Sequence, residues 1–383
     1  MTANVSIVVP TYREAENLPL LVPQVASAMA GKGWAWEMIV VDDDSPDGTG
    51  AVLAELSGRY PQVRGIVRKN DRGLSSAVLA GIQLARNDFV VVMDADLSHP
   101  PEKIPELVEK LMRDEADFVI GSRNVAGGKT EDWTALRWIN SAGATLLARP
   151  LAGTVRDPMA GYFALRRETL ARADVLNPIG YKIGLELIVK THVAPHRVAE
   201  VPITFRNRVH GESKLTLAEQ FRYLEHLSRL YDYRYPKGSP RAKFLIAALC
   251  GGAACYGTLA ALNRPMIPSL LSMGIALLAM IGVTLGFFWR YVRAQRDFLV
   301  MKSPYTEFAV ISFVEFIAAW AFAIGTQANI YVQAAVGIVI LLLVRYTLRK
   351  VFLHDLRGIR GTPNAKGNFH LNLAPRKESA ASA

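Results

Sequence analysis

The run Phe89-Val90-Val91-Val92-Met93-Asp94-Ala95-Asp96 constrains this chain most. An apolar, β-branched stretch of this length reads as a strand buried on both faces, the kind found in parallel sheets covered by helices. It stops abruptly at two carboxylates one residue apart. Side chains alternate along a strand, so Asp94 and Asp96 point to the same side. Open α/β sheets deliver functional residues at the carboxyl ends of their strands. Two oxygen donors there form half a site for Mg2+ or Mn2+, ions that take their remaining ligands from water and phosphates. The plain alternative is a pair of turn residues that end the strand.

The rest of the N-terminal region supplies the sheet. Val5–Val9, Glu37–Val41, a segment near Val63–Arg68 and Phe118–Ser122 read as strands. Helical patterns separate them, at Leu18–Met29, at about Ser75–Ala85 and at Ile104–Met112. Strands alternating with helices predict a Rossmann-like, mostly parallel doubly wound sheet. No Gly-x-Gly-x-x-Gly follows the first strand, which disfavours a dinucleotide domain. Three polar loops then share one sheet edge: Tyr12/Glu14, Asp42-Asp43-Asp44 and Asp94/Asp96. A nucleoside diphosphate with a divalent metal accounts for acids gathered there. For Asp42–Asp44 the competing reading is a solvated turn, because Ser45-Pro46-Asp47-Gly48 is turn chemistry.

Cations follow downstream. Arg206, Arg208 and Lys214 straddle His210-Gly211-Glu212, a loop suited to closing over a diphosphate or to carrying plain surface charge. Trp133–Pro150 reads as a helix with Arg137 and Ser141 one turn apart on one face, a cation and a hydroxyl matched to a phosphate monoester. Glu186 is offered either as a general base or as a helix residue near the site. His99, His192, His196 and His210 lack ligand spacing and read as structural or solvated.

Beyond Pro240 the character changes. Of 383 residues 51% are hydrophobic, and the apolar ones crowd into 244–348. Phe244–Leu262, Ile267–Trp289, Phe308–Gly325 and Ile330–Leu348 read as four transmembrane helices. Arg241, Lys243, Arg290, Arg293, Arg296, Lys302, Arg345, Arg349 and Lys350 fall on one side, which the positive-inside rule makes cytoplasmic. Glu315 within the third segment is a functional candidate or the partner of an Arg at a helix end. Cys250 and Cys255 read as small apolar residues. Leu215–Tyr233 fits an amphipathic helix, either on the membrane surface or packed on the soluble core. The expected layout is a catalytic domain over 1–214, an interface helix and linker over 215–240, a membrane domain over 241–353 and a basic tail over 354–383. With no signal peptide read at the N-terminus, the soluble domain is expected in the cytoplasm, anchored to a multi-pass inner membrane.

The motifs Val8-Val9-Pro10-Thr11-Tyr12-x-Glu14-x-Glu16-Asn17-Leu18, Val41-Asp42-Asp43-Asp44-Ser45-Pro46-Asp47-Gly48-Thr49 and Met93-Asp94-Ala95-Asp96-Leu97-Ser98-His99-Pro100-Pro101-Glu102 together resemble family 2 glycosyltransferases of the GT-A fold. Gly121-Ser122-Arg123, Arg137-x-x-x-Ser141 and Gly211-Glu212-Ser213-Lys214 extend the likeness, which covers about the first 230 residues. More narrowly, they resemble the dolichyl-phosphate mannose synthases and their bacterial polyprenyl-phosphate relatives. The resemblance implies that Pro10, Tyr12, Glu14, Val41 and Asp43 contact the nucleoside. Asp94, Ala95 and Asp96 would hold metal and diphosphate, with Ser98 standing where such enzymes often carry a Gln metal ligand. Arg123, Arg208 and Lys214 would face the donor phosphates, and Arg137 and Ser141 the acceptor phosphate. Asp157-Pro158-Met159-Ala160-Gly161-Tyr162 departs from the more usual Asp-x-Thr-Ser-Gly-Phe. The expected reaction is inverting transfer of a hexose, mannose from GDP-mannose, to polyprenyl or dolichyl phosphate. A UDP-sugar donor such as UDP-glucose is the alternative, and a lipid-sugar flippase or scaffold with a nucleotide-binding domain is the alternative of another class. The membrane part resembles a four-helix domain fused to some enzymes of this type, and a homo-oligomer through these helices is left open. No nucleic-acid partner is expected.

Overall fold

The computed structural model describes residues 2–69, 72–131, 133–208, 216–236, 238–262, 269–291, 313–314, 317, 321, 329–339, 343, 369, 371 and 373. The chain forms two compact units, 1–230 with 364–383, and 231–363.

The first unit is built on a seven-stranded sheet. Its strands are β1 (Asn4–Thr11), β2 (Ala35–Asp42), β3 (Val63–Val67), β4 (Phe89–Val92), β5 (Phe118–Ser122), β7 (Phe163–Arg166) and β8 (Val198–Pro202). β6 (Lys129–Thr130) and β9 (Thr204–Phe205) form a separate two-stranded ribbon. The order is β3-β2-β1-β4-β7-β5-β8. All neighbours are parallel except β7, which runs antiparallel between β4 and β5. Helices α1 (Leu18–Met29), α2 (Thr49–Arg59), α3 (Leu74–Leu84) and α4 (Ile104–Met112) make the crossovers. The expected mostly parallel sheet is thus observed. The β-branched strands β1 and β4 are almost wholly buried, as is β2 from Met38 onward, as strands covered on both faces must be. Gly81 lets α3 settle on β1, since a Cβ there would stand 2.4 Å from Val8 Cγ1.

Four further helices complete this part of the chain: α5 (Ala135–Ala152), α6 (Arg167–Ala171), α7 (Ile183–Lys190) and α8 (Leu217–Arg234). For α8 the structure decides between the two readings of its apolar face. Tyr223, His226, Leu227 and Leu230 are buried. The Tyr223 hydroxyl donates to the Ala144 carbonyl of α5 at 2.7 Å, and His226 Nε2 lies 2.9 Å from Glu186 Oε2 of α7. That face packs on the first unit, while Phe221 on another face is half exposed.

In the second unit, α9 (Gly238–Leu262) begins inside the expected Pro236–Pro240 linker. Its stretch Leu245–Leu262, of mean hydropathy 1.8, is the one helix among the described residues long and apolar enough to cross a bilayer. α10 (Ser269–Tyr291) carries a shorter apolar run, Leu271–Thr284, and Ile330–Val339 is a third apolar helix. Cys255, Leu259, Met273, Ala276, Leu277, Met280 and Ala334 form their common core. The close approach of α9 to α10 depends on Gly251, where a Cβ would lie 2.7 Å from Thr284 Cγ2. Most of the expected third span, Glu315 included, lies outside the described residues, as does the end of the fourth.

Candidate active site

The carboxyl ends of β1, β2 and β4 lie side by side. Pro10 pairs with Val41 and Thr11 with Asp42 across β1 and β2, while the Met93 N–H continues the ladder beyond β4 onto the Val8 carbonyl at 3.1 Å. The sheet register therefore gathers the three polar loops read from the sequence onto one edge. The loop after β1 is stitched to the turn after β2. Arg13 N–H donates to Ser45 Oγ at 2.9 Å, Glu14 N–H to Thr49 Oγ1 at 3.0 Å and Ala15 N–H to Asp47 Oδ2 at 3.3 Å. Glu14 in turn accepts from Asn17 Nδ2 at 2.6 Å. Tyr12 is partly exposed, with the Arg13 guanidinium 5.4 Å from its ring centroid.

The acids after β2 are held by internal partners. Asp42 accepts from the Ser45 backbone at 3.0 Å and from the Ser45 hydroxyl. Asp43 Oδ1 takes a forked pair from Arg68, and Oδ2 accepts the Gly73 N–H at 2.7 Å. Asp44, in a left-handed conformation, meets Arg72 at 3.2 Å. Asp43 thus ties the β3–α3 loop to the carboxyl end of β2.

The acids after β4 are arranged differently. Asp94 keeps about a third of its side chain exposed, and no hydrogen bond from a described residue reaches its carboxylate. Its backbone N–H donates to His99 Nδ1 at 3.0 Å. Because that ring nitrogen accepts, His99 is the neutral tautomer protonated at Nε2. The ring is buried and stacked on Tyr162 at 5.1 Å, and burial pushes its pKa below the ordinary imidazole value. His99 is thus a prop for the β4 end. Asp96 is nearly buried. Its Oδ1 accepts from the Ser98 N–H at 3.1 Å and the Ser98 hydroxyl at 2.6 Å, and its Oδ2 pairs with Arg208 Nε at 2.8 Å. Leu97 between them has φ +62°, the turn that brings Ser98 back under Asp96. Burial raises the Asp94 pKa, and repulsion from Asp96 adds to the rise against the pull of Arg208 and Lys182. Two hard-oxygen anions crowded together, one of them without a hydrogen-bond partner among the described residues, suit a divalent cation. Among the described residues no group of three or more His, Cys, Asp or Glu is placed so as to hold a metal ion.

Arginines face these acids. Arg123 forks onto Asp157, with Nε–Oδ2 and Nη2–Oδ1 both at 2.7 Å, and its own N–H donates to the same carboxylate at 3.1 Å. Asp157 is fully buried. Burial pushes its pKa up, but the Arg123 hydrogen bonds and charge outweigh that and leave it lowered. The Arg123 guanidinium lies over the Trp133 and Phe205 rings, at 5.2 and 5.3 Å. Arg137 lies over the same Trp133 ring at 4.5 Å, so one indole carries both cations. Burial lowers the Arg137 pKa, and the nearby charges of Arg208 and Arg123 lower it further. Three arginines therefore converge beside Asp96. Ser141, partly exposed, sits one turn along α5 from Arg137. Next to them opens a groove of about 630 Å³ lined by Thr130, Trp133, Ala135, Trp138 and Ile139.

Not every expected residue joins this cluster. Arg206 pairs outward with Glu102 at 3.0 Å. Lys214 and His210 lie outside the described residues. Glu186 is fully buried, with Oε1 2.6 Å from Lys190 Nζ and Oε2 2.9 Å from His226 Nε2. Burial raises its pKa, yet those partners hold it below the usual value, so it is a structural anion. Two participants were missed in the sequence. Trp133 is the platform for the arginines. Lys182 donates to the Met159 carbonyl at 2.8 Å, and burial together with the Arg123 charge lowers its pKa to about 8 despite Asp157 and Asp94 nearby. Nothing local marks either residue; only their tertiary neighbours do.

Comparison with known proteins places the chain among its relatives. The chain is 46% identical over 232 residues to the dolichol-phosphate mannosyltransferase of Pyrococcus furiosus, 60% of this chain and 64% of that protein. It thus spans just under two thirds of that relative. It is 42% identical to the enzyme of the same name from Mycosarcoma maydis, covering 81% of it, and 40% identical to that of Saccharomyces cerevisiae, covering 90%; each match takes in 61% of this chain. Among solved structures, glucosyl-3-phosphoglycerate synthase from Mycobacterium tuberculosis, in complex with Mn2+, UDP and phosphoglyceric acid, aligns at 22% identity and a TM-score of 0.47, over 60% of this chain and 78% of that one. The model of "Glycosyl transferase family 2" matches residues 6–172, from the first strand through α6 and so across Asp94 and Asp96. The chain belongs to glycosyl transferase family 2.

Proposed function

We propose that this glycosyltransferase moves mannose from GDP-mannose to a polyprenyl or dolichyl phosphate, with inversion, at the cytoplasmic face of a membrane. The observation that carries the reading is the convergence of Arg123, Arg137 and Arg208 on the Asp94/Asp96 edge. One side of the site presents oxygen anions, the other presents three forked cations, and an apolar groove opens beside Arg137. A donor diphosphate and an acceptor phosphate monoester both need cations, and a lipid tail needs an apolar exit. The dolichol-phosphate mannosyltransferase relatives supply the sugar and the lipid.

In this reading the nucleoside lies along Pro10, Tyr12, Glu14 and Val41, with Asp43 holding the Arg68–Gly73 loop against it. Asp94 and Asp96, with Ser98 beside them, would hold Mg2+ or Mn2+, which when bound supplies positive charge to the donor diphosphate. Arg208 and Lys214 hold that diphosphate, and Arg137 and Ser141 orient the lipid phosphate. Arg123, fixed by Asp157, extends the positive field toward both. A lipid-phosphate oxygen forms the new bond to the anomeric carbon as the bond to the nucleoside diphosphate breaks, and the electron pair leaves on the diphosphate oxygen. The attacking phosphate is already ionised, so no general base is needed, in keeping with the internal pairing of Glu186. An α-linked donor then yields a β-linked lipid-phosphate sugar. The apolar helix α9 would anchor the enzyme beside its lipid.

The deciding experiment uses purified full-length protein in nanodiscs with polyprenyl phosphate, Mg2+ or Mn2+ and radiolabelled donors. Mannosyl lipid formed from GDP-mannose is the expected product. Transfer from UDP-glucose instead would replace the donor, and no lipid-phosphate-dependent transfer from any donor would refute the reading.

A further inference from the structure

The first unit is assembled from two distant stretches of chain, 1–230 and 364–383. An antiparallel bridge between Leu176 and Phe369 joins them. Leu176 N–H donates to the Phe369 carbonyl at 2.9 Å, and Phe369 N–H donates to the Leu176 carbonyl at 2.7 Å. This mutual exchange is the hydrogen-bonded pair of an antiparallel ladder. Leu176 is fully buried with Phe369 in place, and both of its backbone groups find their partners in this bridge.

The flanking residues turn their polar groups the other way. Asp174 N–H donates to the Lys190 carbonyl at 3.0 Å, the Val175 carbonyl accepts Lys190 Nζ at 2.8 Å, and Asn177 N–H donates to Glu186 Oε1 at 2.5 Å. The segment 174–177 thus spends those groups on α7 and offers Leu176 outward. The sequence near the C-terminus is shaped to answer it. Phe369-His370-Leu371-Asn372-Leu373 alternates apolar and polar residues between Gly367 and Pro375, the pattern of a strand with one covered face. Phe369, Leu371 and Leu373 are each half-buried.

We infer that Leu176 lies on a strand-accepting edge whose occupant is this chain's own Phe369, with Leu371 and Leu373 as its apolar neighbours. The seat is a joint between helices. Asn177 Oδ1 accepts from Arg229 of α8 at 3.1 Å, and Glu186 links the segment to His226 of the same helix. Strand addition here clamps the α7–α8 joint from outside, by main-chain bonds with apolar side chains as the grip. The inference does not depend on the identity of donor or acceptor.

Hydrogen exchange read by mass spectrometry on the full chain in nanodiscs tests it. Removing 364–383 should speed exchange of the Leu176 amide at least tenfold while the β4 amides Val90–Val92 keep their rates. The double variant Leu371→Asp, Leu373→Asp keeps the backbone and should give the same local result. It decides the matter if truncation also loosens β4. A synthetic peptide of residues 364–377 added to the truncated protein should restore the slow rate. Unchanged Leu176 exchange in the double variant, or no restoration by the peptide, would overturn the inference. Protection that falls on dilution would also overturn it, because the strand would then come from a second copy.

Discussion

Two acidic clusters lie on the same sheet edge and look alike as sequence, Asp42-Asp43-Asp44 after β2 and Asp94-x-Asp96 after β4. Their chemistry is opposite. Ser45, Arg68, the Gly73 N–H and Arg72 take up the first. The second leaves Asp94 about a third exposed and without a hydrogen bond to its carboxylate from a described residue, while Asp96 beside it pairs with Ser98 and Arg208. An acid whose lone pairs are filled by the protein shapes a loop. An acid left facing others of its charge is a place for a ligand. Counting carboxylates cannot single out Asp94; counting partners does.

The sharpest test of this contrast is Asp94→Ala. It should lower kcat by about 10³-fold, the scale of losing a centre of charge stabilisation, with Tm nearly unchanged. A normal rate in the lipid-transfer assay would erase the distinction. Asp43→Ala should do the converse and cost stability first. It removes the carboxylate partner of Arg68, whose side chain is only 12% exposed, and breaking a buried pair costs about 3 kcal/mol. Urea unfolding read by fluorescence measures that loss. Arg137→Ala should raise KM for polyprenyl phosphate about tenfold, roughly the worth of one charge-assisted contact, while KM for the nucleotide sugar stays put; equal effects on both would move Arg137 to the donor side.

A smaller effect concerns pH. Lys182 titrates near 8, so it is charged below that value and neutral above it. Donor affinity should weaken severalfold as pH rises through 8, and Lys182→Arg, charged throughout, should flatten that part of the profile. Identical profiles for the two proteins would remove Lys182 from the phosphate field. The smallest effect belongs to Asp44→Ala. Its pair with Arg72 is about half exposed, and such pairs contribute roughly 0–1 kcal/mol. A loss as large as that of Asp43→Ala would show that the whole turn acts as one unit.

Much of this was legible in the sequence because it is local. Alternating β-branched runs and helical patterns give β1 to β5, and the four-residue spacing of Arg137 and Ser141 puts both on α5. What escaped was set by tertiary partners. β7 is four residues long with no flanking alternation, so its antiparallel insertion between β4 and β5 has no local signature. The Asp157 lock on Arg123 spans 34 positions. Glu186 in isolation suits a base as well as a buried anion; Lys190 and His226 decide. The amphipathic pattern of α8 suits a bilayer or a protein surface equally, and the contacts of Tyr223 and His226 settle the buried face.

The Leu176–Phe369 bridge also sets an order of manufacture. The ribosome makes Leu176 early and Phe369 only after all of 231–363. Domains fold largely as they emerge, N-terminal part first. The sheet and its acids can therefore be in place while one buried backbone pair still waits for its partner. A chain cut short within the second unit would lack that partner permanently. Completion of the first unit thereby becomes a record that the second has been synthesised.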